Sequence, residues 1–342
     1  MVQKLDPAHH RTARFRDREP GRAIRPDRKP APDRPRGEPV RQGLFRGLGL
    51  LRPGPHLLCR PDGAMVGRLC LAACLLAGLI LPAAAEPPRR VLSVNLCTDQ
   101  LAMLLAAPGQ IVSVSYLAQD PTASAMADQA ARLPANRGRA EEIFLMRPDL
   151  VLAGAWSSPE TIRLLQRLGI PVEVFPVETD IAGIRANIRR MGNVLGRQAR
   201  AKALLARFDA DLARLADAPP GPRPRAALYM VNGYSSGRDS LAGQIVALAG
   251  FDNVADDLGL PAGGVVPLEA LLLSGPDLLV EGRRYPGSSR AQEVLDHPAL
   301  KALSRGRPAE VMSDPDWVCG TPHILRAIAQ LRDARLALQA RP

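Results

Sequence analysis

The chain is 342 residues long with 46% hydrophobic content, enough for two domains of ordinary size, each with its own core. Its net charge of +11 invites a nucleic-acid reading until the charges are placed: residues 1–64 hold 15 Lys and Arg against 7 Asp and Glu, whereas from Glu86 onward the count is 29 against 27. The part able to fold is close to neutral, which argues against a nucleic-acid partner.

Residues 1–64 carry 10 of the 33 prolines and almost no apolar periodicity before Leu44. Such a stretch buries too little surface to offset the entropy of ordering it and reads as a disordered, basic extension. Two readings stand: a tail for anionic partners, or a segment that is not translated. The second is preferred, because Met65 opens a complete export signal and 41 arginines against 4 lysines suggest GC-rich codons, which leave frames open upstream. From Met65 a short basic region with Arg68 is followed by an apolar run, Leu69 to Leu81, and by Ala83-Ala84-Ala85. That pattern predicts a signal peptide over 65–85, cleavage after Ala85 and a periplasmic protein. The run is shorter than the ~20 residues a membrane span needs. Lipid attachment at Cys74 is the less favoured alternative, since the apolar stretch continues past it. Cleavage leaves Cys97 and Cys319, an even pair in an oxidising compartment, for which a disulfide is expected.

From residue 90 onward strand-like and helix-like segments alternate, predicting an α/β fold with parallel-type sheets. Strands are expected at 90–94, 111–115, 149–153 and 172–175, with helices at 99–107, 141–146 and 159–168, which makes residues 86–178 an N-terminal α/β lobe. A long helical stretch over 179–218, broken or bent near Gly192 and Gly196, shows Leu204, Phe208, Leu212 and Leu215 at helical spacing. The cluster Pro219-Pro220-Gly221-Pro222 ends it. A second α/β series begins at Ala226, so 219–342 is read as a C-terminal lobe, with one long rigid helix joining the two and a ligand cleft between them.

The second series echoes the first. Glu141–Gly154 reads EEIFLMRPDLVLAG and Glu269–Gly282 reads EALLLSGPDLLVEG. At an ungapped offset of 128, Glu141 matches Glu269, Leu145 matches Leu273, and Pro148-Asp149-Leu150 matches Pro276-Asp277-Leu278. Helix, Pro-Asp turn and strand is a common phrase, but its equivalent placement in two series argues for two related lobes.

With these phrases, the opening VLSVNLCTDQL, the segment SLAGQIVALAGFDNVAD and the approach HPALKALSRGRPAEV, the chain resembles the iron-chelate and cobalamin class of periplasmic substrate-binding proteins of ABC importers. The resemblance covers Arg89 to Leu338. It implies a monomer that carries a metal chelate (cobalamin, a ferric siderophore or haem) to an inner-membrane permease. It also implies that Glu141 and Glu269, one on each lobe, dock against arginines of that permease. The same carboxylates would suit the N-termini of their own helices.

Ligands of open α/β sheets sit beyond the carboxyl ends of the strands. The loops there supply Asn95, Cys97, Tyr116 and Trp156 from the first lobe, and Asn232, Tyr234, Arg283, Tyr285 and Trp317 from the second. Exposed rings suit a large ligand with a planar or chelate face, and arginines suit its carboxylates or phosphate. The alternative is that the rings merely plug strand ends. No tightly bound cofactor is expected. Cys97, Cys319 and His323 are a conceivable soft metal site, ranked below the disulfide. The rival class is a serine hydrolase: Gly233-Tyr234-Ser235-Ser236-Gly237 fits a nucleophile elbow after a strand, with Asp314 or Asp316 and His323 downstream. Against it, the helix due after the elbow is delayed to about Ser240, and no oxyanion loop is evident.

Overall fold

The computed structural model describes residues 86–216, 221–284, 286–287, 289–304 and 309–340. The extension 1–64, the export signal 65–85 with Cys74, and Tyr285 lie outside the described residues. All described residues fall within one compact unit.

The first lobe holds β1 (Val91–Ser93), β2 (Ile111–Ser115), β3 (Ala135–Asn136), β4 (Leu150–Gly154) and β5 (Val172–Phe175). They pair in the order β3-β2-β1-β4-β5, every pair parallel. β1 and β4 are buried along their whole length, as apolar strands covered by helices on both faces must be. The second lobe holds β6 (Arg225–Tyr229), β7 (Tyr234–Ser235), β8 (Asp252–Asn253), β9 (Gly264–Val265), β10 (Leu278–Glu281) and β11 (Ala309–Val311). A parallel sheet runs β11-β10-β6-β8, while β7 and β9 form a small antiparallel pair.

The first helix covers Leu96–Leu105, three residues earlier than the sequence suggests. Asn95 is the reason: its Oδ1 accepts from the N–H groups of Cys97 and Thr98 and caps the helix there. The segment read as a loop is therefore the cap and first turn of a helix, with Cys97 and Thr98 held by regular backbone.

The 179–218 segment, read as one linking helix broken or bent near its glycines, is broken there. It is not one helix but two, Ile181–Val194 and Gln198–Ala216. Gly196 adopts a left-handed φ of 66° that ends the first. The two then lie side by side, since Arg185 of one pairs with Asp209 of the other at 2.7 Å. Gly192 makes the close approach possible, because a Cβ there would fall 2.4 Å from that of Ala201. The second helix, about 28 Å long, continues toward the second lobe. Its buried stripe is Ala201, Leu205, Phe208 and Leu212, and Arg332 of the C-terminal helix Ile324–Gln339 caps its end by donating to the carbonyls of Arg214 and Leu215, both at 2.8 Å. One continuous apolar cluster runs from Val91 and Phe175 through Ile188 and Phe208 to Leu228, Val280 and Ile328.

The repeat holds in three dimensions. Helices Ala140–Leu145 and Leu268–Ser274 precede strands that start at Leu150 and Leu278. Even the backbone agrees: Arg147 and Gly275, 128 apart, are both left-handed, with φ of 48° and 58°. Each Pro-Asp has a task. The Asp149 carboxylate accepts from the N–H groups of Arg89 and Arg90 at 2.7 and 3.0 Å, and that of Asp277 from the N–H of Arg225 at 2.7 Å. Each aspartate thus ties the start of its own strand to the start of the central strand beside it.

Removing either tie leaves strand-end donors to water alone. Asp149→Ala and Asp277→Ala are each expected to lower stability by about 1–2 kcal/mol. Urea unfolding should find the two losses additive, because the sites lie in different lobes.

Candidate functional site

The carboxyl ends of the strands meet a cavity of about 310 Å³. Leu96, Leu101, Leu117, Phe175, Val177 and Val318 give it apolar walls, and Asn95, Cys97, Trp156 and Glu178 also line it. The Asn95 side chain lies so close to Gly154 that a Cβ on the glycine would come within 2.6 Å of its Cγ. That glycine, the last residue of β4, therefore lets the cap pack at the cleft floor. A larger groove of about 420 Å³ lies elsewhere, lined by residues 86–89, 107–110 and Arg197; it contains none of the expected ligand residues.

Trp156 is 86% exposed and lines both this cavity and a neighbouring one of about 230 Å³. Tyr116 is half exposed, and the guanidinium of Arg137 lies over its ring at 5.5 Å from the centroid. Asn232 is exposed in a left-handed conformation, and Tyr234 is exposed on β7. Tyr116, Asn232 and Tyr234 are not among the residues lining the main cavity.

Trp317 is a correction, Arg283 has a partner inside the protein, and the rival hydrolase reading is not supported. Trp317 is not a cleft ring: it is 6% exposed, packs in the main core cluster and leaves its Nε1 buried without a partner among the described residues. The short helix Asp314–Trp317 turns it inward, and its neighbour Val318 faces the cavity instead. Arg283 is engaged within the protein. It donates to the carbonyl of Thr122 in the opposite lobe and lies 3.7 Å from Asp314. Ser235 is no nucleophile elbow either. It is buried and sits in the antiparallel β7–β9 pair, no bond from it to His323 occurs among the described residues, and the next helix starts only at Leu241.

Cys97 and Cys319 are joined by a disulfide, which links the first turn of the helix after β1 to the segment leading into the C-terminal helix. Both sulfurs are thereby withdrawn from metal ligation, and no group of three or more metal-ligating side chains occurs among the described residues. Beside the disulfide, Glu178 packs on Gly320, where a Cβ would come within 2.5 Å of it, and accepts bonds from the Gly320 N–H and from Asn187. Burial pushes its carboxyl up despite those bonds. Nearby on the same helix as Cys97, burial pushes Asp99 up to about 6, against bonds from Ser115 that pull it down. Burial lowers His323 to about 4. Glu178, Val177 and Phe175 escaped the sequence reading, yet the rule that flagged the other loops reaches them, since they end or follow β5. Leu117 and Arg137 carry no sequence signal beyond standing next to flagged loops.

A model of the periplasmic binding protein family matches residues 91–316. A cobalamin-binding protein of Halobacterium salinarum is 30% identical over 57% of this chain and 54% of its own length; the chain thus spans about half of that relative. A vitamin B12-binding protein of Pectobacterium carotovorum is 24% identical over 78% of this chain and 95% of that one. A solved periplasmic heme-binding protein from Roseiflexus sp. RS-1 superposes with a TM-score of 0.61 at 22% identity, covering 73% of this chain and 98% of the other. Among the described residues no helix is long and apolar enough to cross a membrane.

Closing a separation of 222 residues, the disulfide stabilises the fold by up to about 5 kcal/mol in the chain-entropy picture. Guanidinium unfolding of Cys97→Ser/Cys319→Ser should show the loss, and reductant should reproduce it in the wild type. The buried acid gives a second outcome. An Asp99 that ionises near 3.8 when unfolded and near 6 when folded contributes stability that is complete below pH 4 and is lost as pH rises through 6, about 3 kcal/mol in all. His323, lowered from 6.5 to about 4, acts in the opposite sense and makes stability rise with pH across that window. Asp99→Asn should therefore steepen the rise in stability between pH 4 and 6.5, as read by urea unfolding at fixed ionic strength.

Proposed function

The chain belongs to the periplasmic binding protein family, and from that premise we propose that it captures a bulky metal chelate (cobalamin, a ferric siderophore or haem) and delivers it to the permease of an ABC importer. The observation that carries the proposal is the apolar cavity at the carboxyl ends of the strands, with the fully presented ring of Trp156 at its edge. Such a surface holds a large flat ligand by burial and stacking, and a few polar groups at its margin set the orientation. The relatives named as cobalamin-binding and heme-binding proteins support the same ligand class.

In this reading Trp156 and Tyr116 stack on the ligand, Asn95 orients it, and Asn232 and Tyr234 close over it from the second lobe. Arg283 changes partners: a carboxylate of the ligand competes with the Thr122 carbonyl for its guanidinium, so capture and closure exchange one bond for another. Glu141 and Glu269 are exposed in the first turns of matching helices, one per lobe. There they register the loaded protein on basic residues of the permease, contributing orientation and association rate more than affinity. No bond-making step is assigned to any residue.

Residues 86–342, titrated with cyanocobalamin, haemin and a ferric hydroxamate, should show Trp156 fluorescence quenched by at least one at micromolar or tighter affinity. Trp156→Ala should weaken that ligand on the order of tenfold or more. Silence across the whole panel would sink the proposal. Glu141→Arg/Glu269→Arg should abolish uptake in cells and leave the fluorescence titration unchanged.

A further inference from the structure

Three large apolar side chains among the described residues stand furthest into solvent: Leu273 at 88%, Trp156 at 86% and Leu145 at 79%. Trp156 belongs to the cleft. The other two occupy equivalent positions of the repeat, 128 residues apart, although the side chains around them have diverged: Phe144 corresponds to Leu272, Met146 to Ser274 and Arg147 to Gly275.

Each leucine lies four residues beyond its glutamate, Glu141 with Leu145 and Glu269 with Leu273. On a helix that spacing brings two side chains onto one face, about 6 Å apart. Anchoring of these helices falls to other positions, since Ile143 and Leu271 are the buried residues that hold them to their sheets. Packing therefore asks nothing of Leu145 and Leu273. Single exposed leucines need no explanation, but the same leucine kept outward beside the same carboxylate in both lobes does.

We infer that each lobe docks through a Glu-Leu pair, the leucine entering an apolar socket beside the basic group that receives the carboxylate, and that the partner is a membrane permease offering that socket twice. The internal repeat argues for this occupant, because two like pairs on one chain match two like sockets related by a two-fold axis. Charge gives long-range orientation and the buried leucine holds the complex once formed. The inference rests on the docking reading above.

A photo-cross-linking residue at position 145 or 273, in cells producing the full chain, should capture the same polytopic permease from both positions. Equivalent probes at the exposed Leu168 and Leu336 should not. On the purified permease complex so identified, Leu145→Ser and Leu273→Ser should each weaken binding about tenfold and the double variant about a hundredfold, with titrations by cyanocobalamin and haemin unaltered. Capture of a second copy of this chain, or no common membrane protein at the two positions, overturns the inference. If the double leucine variant binds the permease like wild type while Glu141→Arg/Glu269→Arg does not, the leucines fall and the docking reading survives. If the glutamate variant also binds like wild type, the docking reading falls with them.

Discussion

The link between Cys97 and Cys319 is the constraint from which the behaviour of the cleft follows. It joins the first helix of one lobe to the approach of the last helix of the other, and Glu178 packs on Gly320 beside it. Ile181, where the helical hairpin begins, donates its N–H to Gln244 in the second lobe at 3.1 Å. With an apolar cluster continuous through both lobes, the floor of the cleft is held by a covalent bond, hydrogen bonds and packing together. A second link between the lobes is polar: Arg283 donates to the Thr122 carbonyl, a contact worth about 1–3 kcal/mol and open to exchange with solvent.

The proposed carrier role asks for a body of constant outline, and the framework between the lobes is built for one. The Pro-Asp ties fix the helices bearing Glu141 and Glu269 to the starts of the central strands, and the hairpin stiffens the crossing between lobes.

Much of this was readable before any coordinates. β2 and β5 fall on their expected residues, because short apolar runs between glycine or proline stops leave little freedom. The repeat could be read because Pro-Asp performs the same backbone task twice. What escaped was set by three-dimensional neighbours. Asn95 looks like a loop residue until its cap is seen, and Trp317 looks like a cleft ring until the four-residue helix that buries it is known. The hairpin was hinted at by Gly192 and Gly196, but a glycine marks a bend without stating its angle. Here Ala201 sets that angle, by packing where a larger residue than Gly192 could not sit. The partner that Arg283 holds, a backbone carbonyl of the other lobe, has no signature in sequence at all.

The left-handed turn shared by Arg147 and Gly275 reaches furthest. A glycine takes that conformation without strain, whereas an arginine bears a cost of about 1–2 kcal/mol. Yet both lobes keep it, since only that turn delivers the following proline and aspartate to the strand start. The chain's history is therefore written more durably in torsion angles than in side chains. A common ancestral half-molecule would be recognised by where its backbone bends the unfavourable way, long after the residues performing the bend had ceased to match.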